Sequence, residues 1–111
     1  MGNVMKHADA PVQDLGGGVV RRILSHTPEM MVVEITFEAG GVGAVHTHPH
    51  IQSSYVKSGE FEYVVGDEKV VVRAGDSLTF EAGERHGCVC LKAGVLMDVF
   101  SPAREDFLQG I

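Results

Sequence analysis

Three histidines and a glutamine stand at spacings that could hold one cation. His46 and His48 lie two apart within Gly40-Gly41-Val42-Gly43-Ala44-Val45-His46-Thr47-His48-Pro49-His50-Ile51-Gln52. On an extended strand the side chains at i and i+2 leave the same face, so two imidazoles can reach one ion. Gln52 opens the next apolar segment and can add an amide oxygen. His86 follows the Gly83-bearing turn and starts a segment on which Cys88 and Cys90 share its face; a third imidazole from there would complete a three-histidine set. A lone histidine in a small protein is more commonly a surface or satisfied core residue. His7, His26 and His50 are read that way, His50 because Pro49 interrupts the strand. For His46 and His48 the pair by itself leaves both readings open.

The elements that must position these residues are short and apolar. From Gly16 onward, apolar segments alternate with glycine-bearing turns at steady intervals, the pattern of an all-β sandwich or barrel. The expected strands are 19–24, 31–37, 43–48, 52–58, 60–65, 69–73, 77–80, 86–91 and 95–100. Two hairpins are expected, one at Lys57-Ser58-Gly59-Glu60 and one at Val65-Gly66-Asp67-Glu68-Lys69, with glycine free to take positive φ. The segment Val70-Val71-Val72 is apolar on both faces, as where two sheets or two subunits pack. Helical signal is confined to 102–108, where Ser101 can cap, Pro102 suits the first helical position and acids fill the first turn. Residues 1–14 read as an N-terminal arm or an extra edge strand, and 15–111 as a single barrel domain.

Composition narrows the function classes. At 111 residues there is room for one core, and 44% hydrophobic residues rule out extensive disorder. Nine basic against fifteen acidic side chains give a formal charge of −6, which argues against nucleic acid as a partner. Cys88 and Cys90 are too close along one strand for a disulfide, and free thiols suit a reducing compartment. No apolar run approaches the roughly 18 residues of a membrane helix, so no membrane partner is expected. The N-terminus lacks a signal-peptide apolar region, and Lys6 stands where a myristoylation motif wants Ser or Thr. The expected location is the cytoplasm.

A resemblance joins the two halves of the histidine set. Gly40, five residues, His46-x-His48, three residues, Gln52, six residues and Gly59 resemble the first cupin motif, with Gln52 where Glu is usual. Gly75, five residues, Glu81-x-Gly83, two residues and His86 resemble the second, with Glu81 in place of Pro and Cys90 in place of Asn. The fold this implies is all-β, a cupin double-stranded β-helix of jelly-roll type with a short C-terminal helical turn. The ligand set it implies is His46, His48, Gln52 and His86 around one divalent metal ion per chain, which Zn, Ni, Mn or Fe could each supply. Three neutral imidazoles and an amide leave such an ion its full +2 charge, which suits an anionic ligand.

The similarity extends beyond the motifs, through Leu15-Gly16-Gly17-Gly18-Val19-Val20-Arg21-Arg22-Ile23-Leu24, Pro49-His50 and Asp98-Val99-Phe100-Ser101-Pro102-Ala103-Arg104-Glu105-Asp106-Phe107. These look like the pectin-degradation cupins of the KdgF type. The activity this implies is metal-dependent conversion of cyclic 4,5-unsaturated uronates, from pectin or alginate breakdown, to linear 5-keto uronates. It implies a pocket lined by Asp98, Phe100 and Arg104, with Asp98 as proton shuttle, Phe100 as substrate-binding residue and Arg104 as both a catalytic and a substrate-binding residue that anchors a carboxylate or hydroxyl. Two alternatives stand beside it: another metal-dependent cupin enzyme, such as a dioxygenase, and a non-catalytic sugar-binding cupin. A two-fold homodimer is expected, because a single barrel leaves strand edges and the 70–72 segment to be covered.

Overall fold

The computed structural model describes residues 2–111. Eight strands follow in order: β1 (Val12–Gly16), β2 (Val19–Thr27), β3 (Met30–Phe37), β4 (Val42–His46), β5 (Ile51–Val65), β6 (Glu68–Arg73), β7 (Ser77–Phe80) and β8 (His86–Ser101). A single 3-10 turn, His7–Asp9, precedes them, and a one-turn helix, α1 (Glu105–Leu108), follows. All strand pairs are antiparallel. The central path runs β1-β2-β3-β8-β5-β6, with β4 on β8 and β7 on β5. The double-sheet cupin barrel expected from the sequence is therefore present, with its short C-terminal helical turn.

Two long strands tie the layers together. β5 and β8 pair along almost their whole lengths, from Ile51↔Ser101 to Val65↔His86. One half of β8 also pairs with β3 and the other with β4. One half of β5 likewise takes β7 and the other β6. The expected hairpin at 57–60 is thus corrected: the chain bends there and does not reverse. Register shifts cluster between Val56 and Phe61, the mark of a bulged bend. Gly59 does take positive φ, +82°. It lies against Gly94, where any Cβ would overlap Ser58 O, so the two strands fold over each other only because both positions are bare. The β5–β6 hairpin forms as expected, around Gly66 at φ +58°.

Two other expectations are corrected, at β4 and at the helical turn, and the 70–72 segment turns one face to the core and leaves the other exposed. β4 stops at His46, so His48 lies beyond the strand ahead of Pro49. In β6 only Val72 is buried, while Val70 and Val71 are 42% and 37% exposed on an edge strand. The helical turn starts at Glu105, not at Pro102. Ser101 stays in β8 and its hydroxyl donates to Glu29 O at 2.8 Å, and Arg104 precedes the turn without a side-chain cap. Part of the N-terminal arm is indeed an edge strand, since β1 pairs with β2.

The core has two centres that meet at Ile35. One gathers Val19, Phe37, Val56, Phe61, Phe80 and Leu96; the other gathers Ile23, Met31, Val33, Phe100, Ala103 and Phe107. Phe37 and Phe61 meet edge to face at 5.2 Å, a geometry aromatic quadrupoles favour. Burying each such ring stabilises the fold by about 1.5–3 kcal/mol. The second centre holds α1 against the barrel through Phe107 and so closes one end of the interior cavity.

Candidate metal centre and adjoining cavity

Strand register brings the histidines together. His46 on β4 faces His86 on β8 directly, and Gln52 at the start of β5 lies across from Phe100 on β8. The ring centroids are 5.3 Å apart for His46 and His48, 4.7 Å for His46 and His86, and 4.9 Å for His48 and His86. One ligand atom from each of the three lies within 4.8 Å of the others. His48, His86 and Gln52 are buried, and His46 is exposed at the rim. Phe80 stacks on His86 at 4.3 Å with planes 5° apart, which holds that ring's orientation.

The protons can be placed by what each ring meets. Nδ1 of His46 contacts Ala44 O at 2.7 Å, that of His48 contacts His50 O at 3.1 Å, and that of His86 contacts Glu84 O at 2.8 Å. A carbonyl oxygen only accepts, so each Nδ1 carries the hydrogen and, in the neutral ring, each Nε2 carries a lone pair. Burial pushes His86 below the ordinary histidine value, which keeps it neutral. Gln52 Oε1 nonetheless sits 2.9 Å from His48 Nε2 and 3.1 Å from His86 Nε2. Three acceptors thus converge with no hydrogen between them. A cation at their centre resolves that conflict, so the residues present fit a divalent metal ion.

A hydrogen-bonded line leads from this cluster into the barrel. Gln52 Nε2 donates to Ser54 Oγ at 3.0 Å, and Ser54 Oγ donates to Asp98 Oδ1 at 2.6 Å. Asp98 is only 4% exposed, and burial pushes its carboxyl up to about 6 against the opposing pull of Ser54, Arg104 and Gln52. Burial, together with the Asp98 charge, also pushes Tyr63 far upward, so that phenol stays protonated. Asp98 and Phe100 share the inner face of β8, as the alternation requires.

Asp98 and Phe100 line one cavity of about 230 Å³ together with His46, Gln52, His86 and Arg104. The Arg104 guanidinium lies 5.2 Å from the Phe100 ring and 4.2 Å from the Phe107 ring. Its fork is already closed on Asp106, at 3.0 and 2.9 Å. His50, read as a surface or satisfied core residue, has its Nδ1 buried without a side-chain partner and its ring 5.3 Å from that of His48. Cys88 also lines the cavity. Both thiols are free, and burial pushes Cys88 up to about 12.

Sequence reasoning missed Ser54, Phe80, Arg21 and Phe107. For Ser54 and Arg21 a signal existed. Ser54 alternates with Gln52 and Val56, and Arg21 sits between the core residues Val19 and Ile23.

An antiparallel double-sheet barrel with histidines converging on its inner face defines the cupin class, and the cupin-domain family matches residues 33–100. The chain is 40% identical over 102 residues to the pectin degradation protein KdgF of Dickeya dadantii, covering 90% of this chain and 93% of that protein. Among solved structures it is similar to KdgF from a Halomonas species, with TM-score 0.90 and 35% identity over 96% and 99% of the two chains. It is also similar to an RmlC-like cupin from Shewanella frigidimarina, with TM-score 0.89 and 43% identity over 94% of each chain. The chain belongs to the KdgF family of cupins.

Proposed function

We propose that this protein opens cyclic 4,5-unsaturated uronates to linear 5-keto uronates. The observation that carries the proposal is the buried line Gln52–Ser54–Asp98, which joins a three-acceptor cluster to a carboxylate of raised pKa inside one cavity. Similarity to pectin degradation proteins supports the same substrate class.

The reaction is an isomerisation. The C1–O5 bond breaks, the hydroxyl on C1 loses its proton and becomes the aldehyde, and the ring oxygen becomes an enolate on C5. A proton added at C4 then gives the 5-ketone. A divalent ion held by His46, His48, Gln52 and His86 would supply Lewis acidity to the substrate's carboxylate and C5 oxygen. Asp98 takes the proton from O1 and returns it to C4, with Ser54 fixing the orientation of its carboxylate. Phe100 packs on the sugar ring. Arg104 bounds the pocket and offers its remaining N–H groups to a carboxylate or hydroxyl.

The test is to mix the metal-loaded protein with an unsaturated monouronate and follow loss of its conjugated ultraviolet absorbance. Decay far faster than in buffer, suppressed by a chelator, is expected. Decay at the buffer rate would overturn the proposal. The two free thiols suit action in a reducing cytoplasm. A two-fold homodimer belongs to the same proposal. Val42 and Val89 are exposed side by side on the outer face of β4 and β8, and Val71 is exposed on the edge strand β6, with Glu62 of β5 between Val89 and Val71. A solution mass near that of one 11.9 kDa chain would refute the dimer.

A further inference from the structure

Adjacent arginines on β2 go to opposite sides of the sheet, because successive strand side chains alternate. Arg22 turns outward, 4.0 Å from Glu34. Arg21 stands between Val19 and Ile23, both core residues, and its side chain lines the cavity. Three contacts hold it there. Its Nε donates to Gln13 Oε1 at 2.7 Å, the Gln13 amide donates to Phe107 O at 2.8 Å, and the guanidinium carbon lies 3.6 Å over the Phe107 ring.

None of these contacts is a counter-ion. Among the described residues Arg21 forms no ion pair within 4.0 Å, whereas Arg104, on the same phenylalanine, is closed on Asp106. Burial and the nearby Arg104 charge push Arg21 below its ordinary value, against the opposing pull of the Asp106 carboxylate, which is not in contact with it. An inward guanidinium without a carboxylate destabilises the empty pocket, and that cost is relieved by a ligand that accepts its hydrogen bonds. With Nε already bonded to Gln13, the two terminal nitrogens remain as a fixed pair of donors.

Its position fixes which end of a ligand it meets. Arg21 pairs with Ile35, Ile35 with Leu96 and Leu96 with Val56, so three strand spacings separate β2 from the strand bearing Gln52. At about 4.8 Å each, the path along the curved sheet is roughly 14 Å. Two rings mark the way between: Phe100 lies 5.8 Å from His48, and Phe107 lies 5.6 Å from Phe100. A cavity of about 230 Å³ has room for one monosaccharide. In a uronate ring C2 is the atom opposite C5, which bears the carboxylate.

We propose that Arg21 is a substrate-positioning residue that donates to the hydroxyl on C2 of the uronate, at the ring edge farthest from His46, His48, Gln52 and His86. This rests on the ring-opening reading, in which the carboxylate end faces the histidines. It makes Arg21 a determinant of specificity. Unsaturated monouronates have lost their stereocentres at C4 and C5, so those from galacturonate polymers and those from mannuronate or guluronate polymers differ in configuration at C2 alone.

The experiment compares wild type, Arg21→Gln and Arg21→Lys, all metal-loaded, on the two C2 epimers. For the epimer that wild type prefers, Arg21→Gln should raise KM about 10–100-fold, the range for a lost charge-assisted hydrogen bond. kcat should stay within about threefold, and Arg21→Lys should recover part of the loss. The rise on the other epimer should be at least about threefold smaller. An unchanged KM on both epimers, or a fall in kcat at constant KM, would overturn the role. An equal rise on both would overturn the assignment to C2. If wild type converts neither epimer, the ring-opening reading fails by itself, and calorimetric titration with galacturonate then decides on Arg21. At least tenfold weaker binding by Arg21→Gln supports the site, and equal affinity, or no binding by wild type, overturns it.

Discussion

The two ends of the cavity are built by different means. At one end, His46, His48 and His86 each fix their Nδ1 hydrogen on a backbone carbonyl two residues away, so their orientation is set largely by local chain geometry, with Phe80 adding a stacking contact to His86. At the other, Arg21, Gln13 and Phe107 come from β2, β1 and α1, and hold one another through side chains and one helix carbonyl. A local scaffold suits an ion, whose ligand distances tolerate little error. A tertiary scaffold suits a sugar, whose hydroxyls differ between substrates and whose recognition can change without disturbing the chemistry. If this division is real, substitutions at the first end should abolish turnover, while those at the second should shift affinity.

The largest effect is expected at the histidine end. His86→Ala removes one of three convergent imidazoles and the stacking partner of Phe80. Metal content measured after dialysis should fall from about one ion per chain to under a tenth, and turnover to the solution rate. Retention of full turnover by this variant would erase the contrast between the ends.

Asp98→Asn comes next. Turnover should fall on the order of 10²–10⁴-fold with metal content unchanged. If activity persists with metal bound, the proton path runs elsewhere. Stability gives a second readout. A carboxyl raised from 3.8 to about 6 binds its proton more tightly in the folded chain than in the unfolded one. Its contribution to stability is therefore whole below about pH 4 and is lost as pH rises through about 6. Asparagine removes that loss, so the metal-free variant should gain on the order of 1–3 kcal/mol over wild type at pH 8 and nothing at pH 4, measured by thermal denaturation.

Legibility in the sequence follows the same division. His46, His48, Gln52 and His86 could be found because metal spacing is local and recurs in the cupin motifs. Their convergence still depended on the β4–β8 register that sets His46 against His86, which no local pattern states. Gly59 was recognised as a positive-φ position but misread as a reversal, because a tight hairpin and a bulged bend ask the same of that residue. What separates them is that β5 and β8 both continue past the bend, a long-range fact. Ser54 and Arg21 were readable from alternation, since a polar residue between inward-facing neighbours must face inward too. Gln13 and Phe107 were not, because only folding brings residues 94 positions apart into contact.

Arg104 lies between the two ends, over Phe100 and Phe107 and beside His48 and His50, and Arg104→Ala should act more weakly. The guanidinium spends its fork on Asp106, so its loss removes a wall of the pocket and a flexible donor, and leaves the chemistry in place. KM on an unsaturated uronate should rise about 3–30-fold with kcat within about threefold. A fall in kcat as large as that of Asp98→Asn would place Arg104 with the histidine end.

The smallest effect is expected from Arg22→Gln, on the outer side of the strand that carries Arg21. Arg22 reaches Glu34 only at 4.0 Å, while His7 lies 2.8 Å and Lys57 3.9 Å from the same carboxylate. Glu34 is only 8% exposed, but losing Arg22 leaves His7 and Lys57 beside it, and a contact as long as 4.0 Å from a part-exposed side chain contributes about 0–1 kcal/mol. The expected change in stability is below about 1 kcal/mol. It should shrink further in high salt, where the remaining surface attraction is screened. KM and kcat should match wild type on either C2 epimer, because the side chain leaves the sheet away from the cavity. Two neighbouring arginines, with one substitution altering affinity and the other altering only a salt-dependent fraction of stability, would locate the difference in the face of the strand and not in the loss of a positive charge.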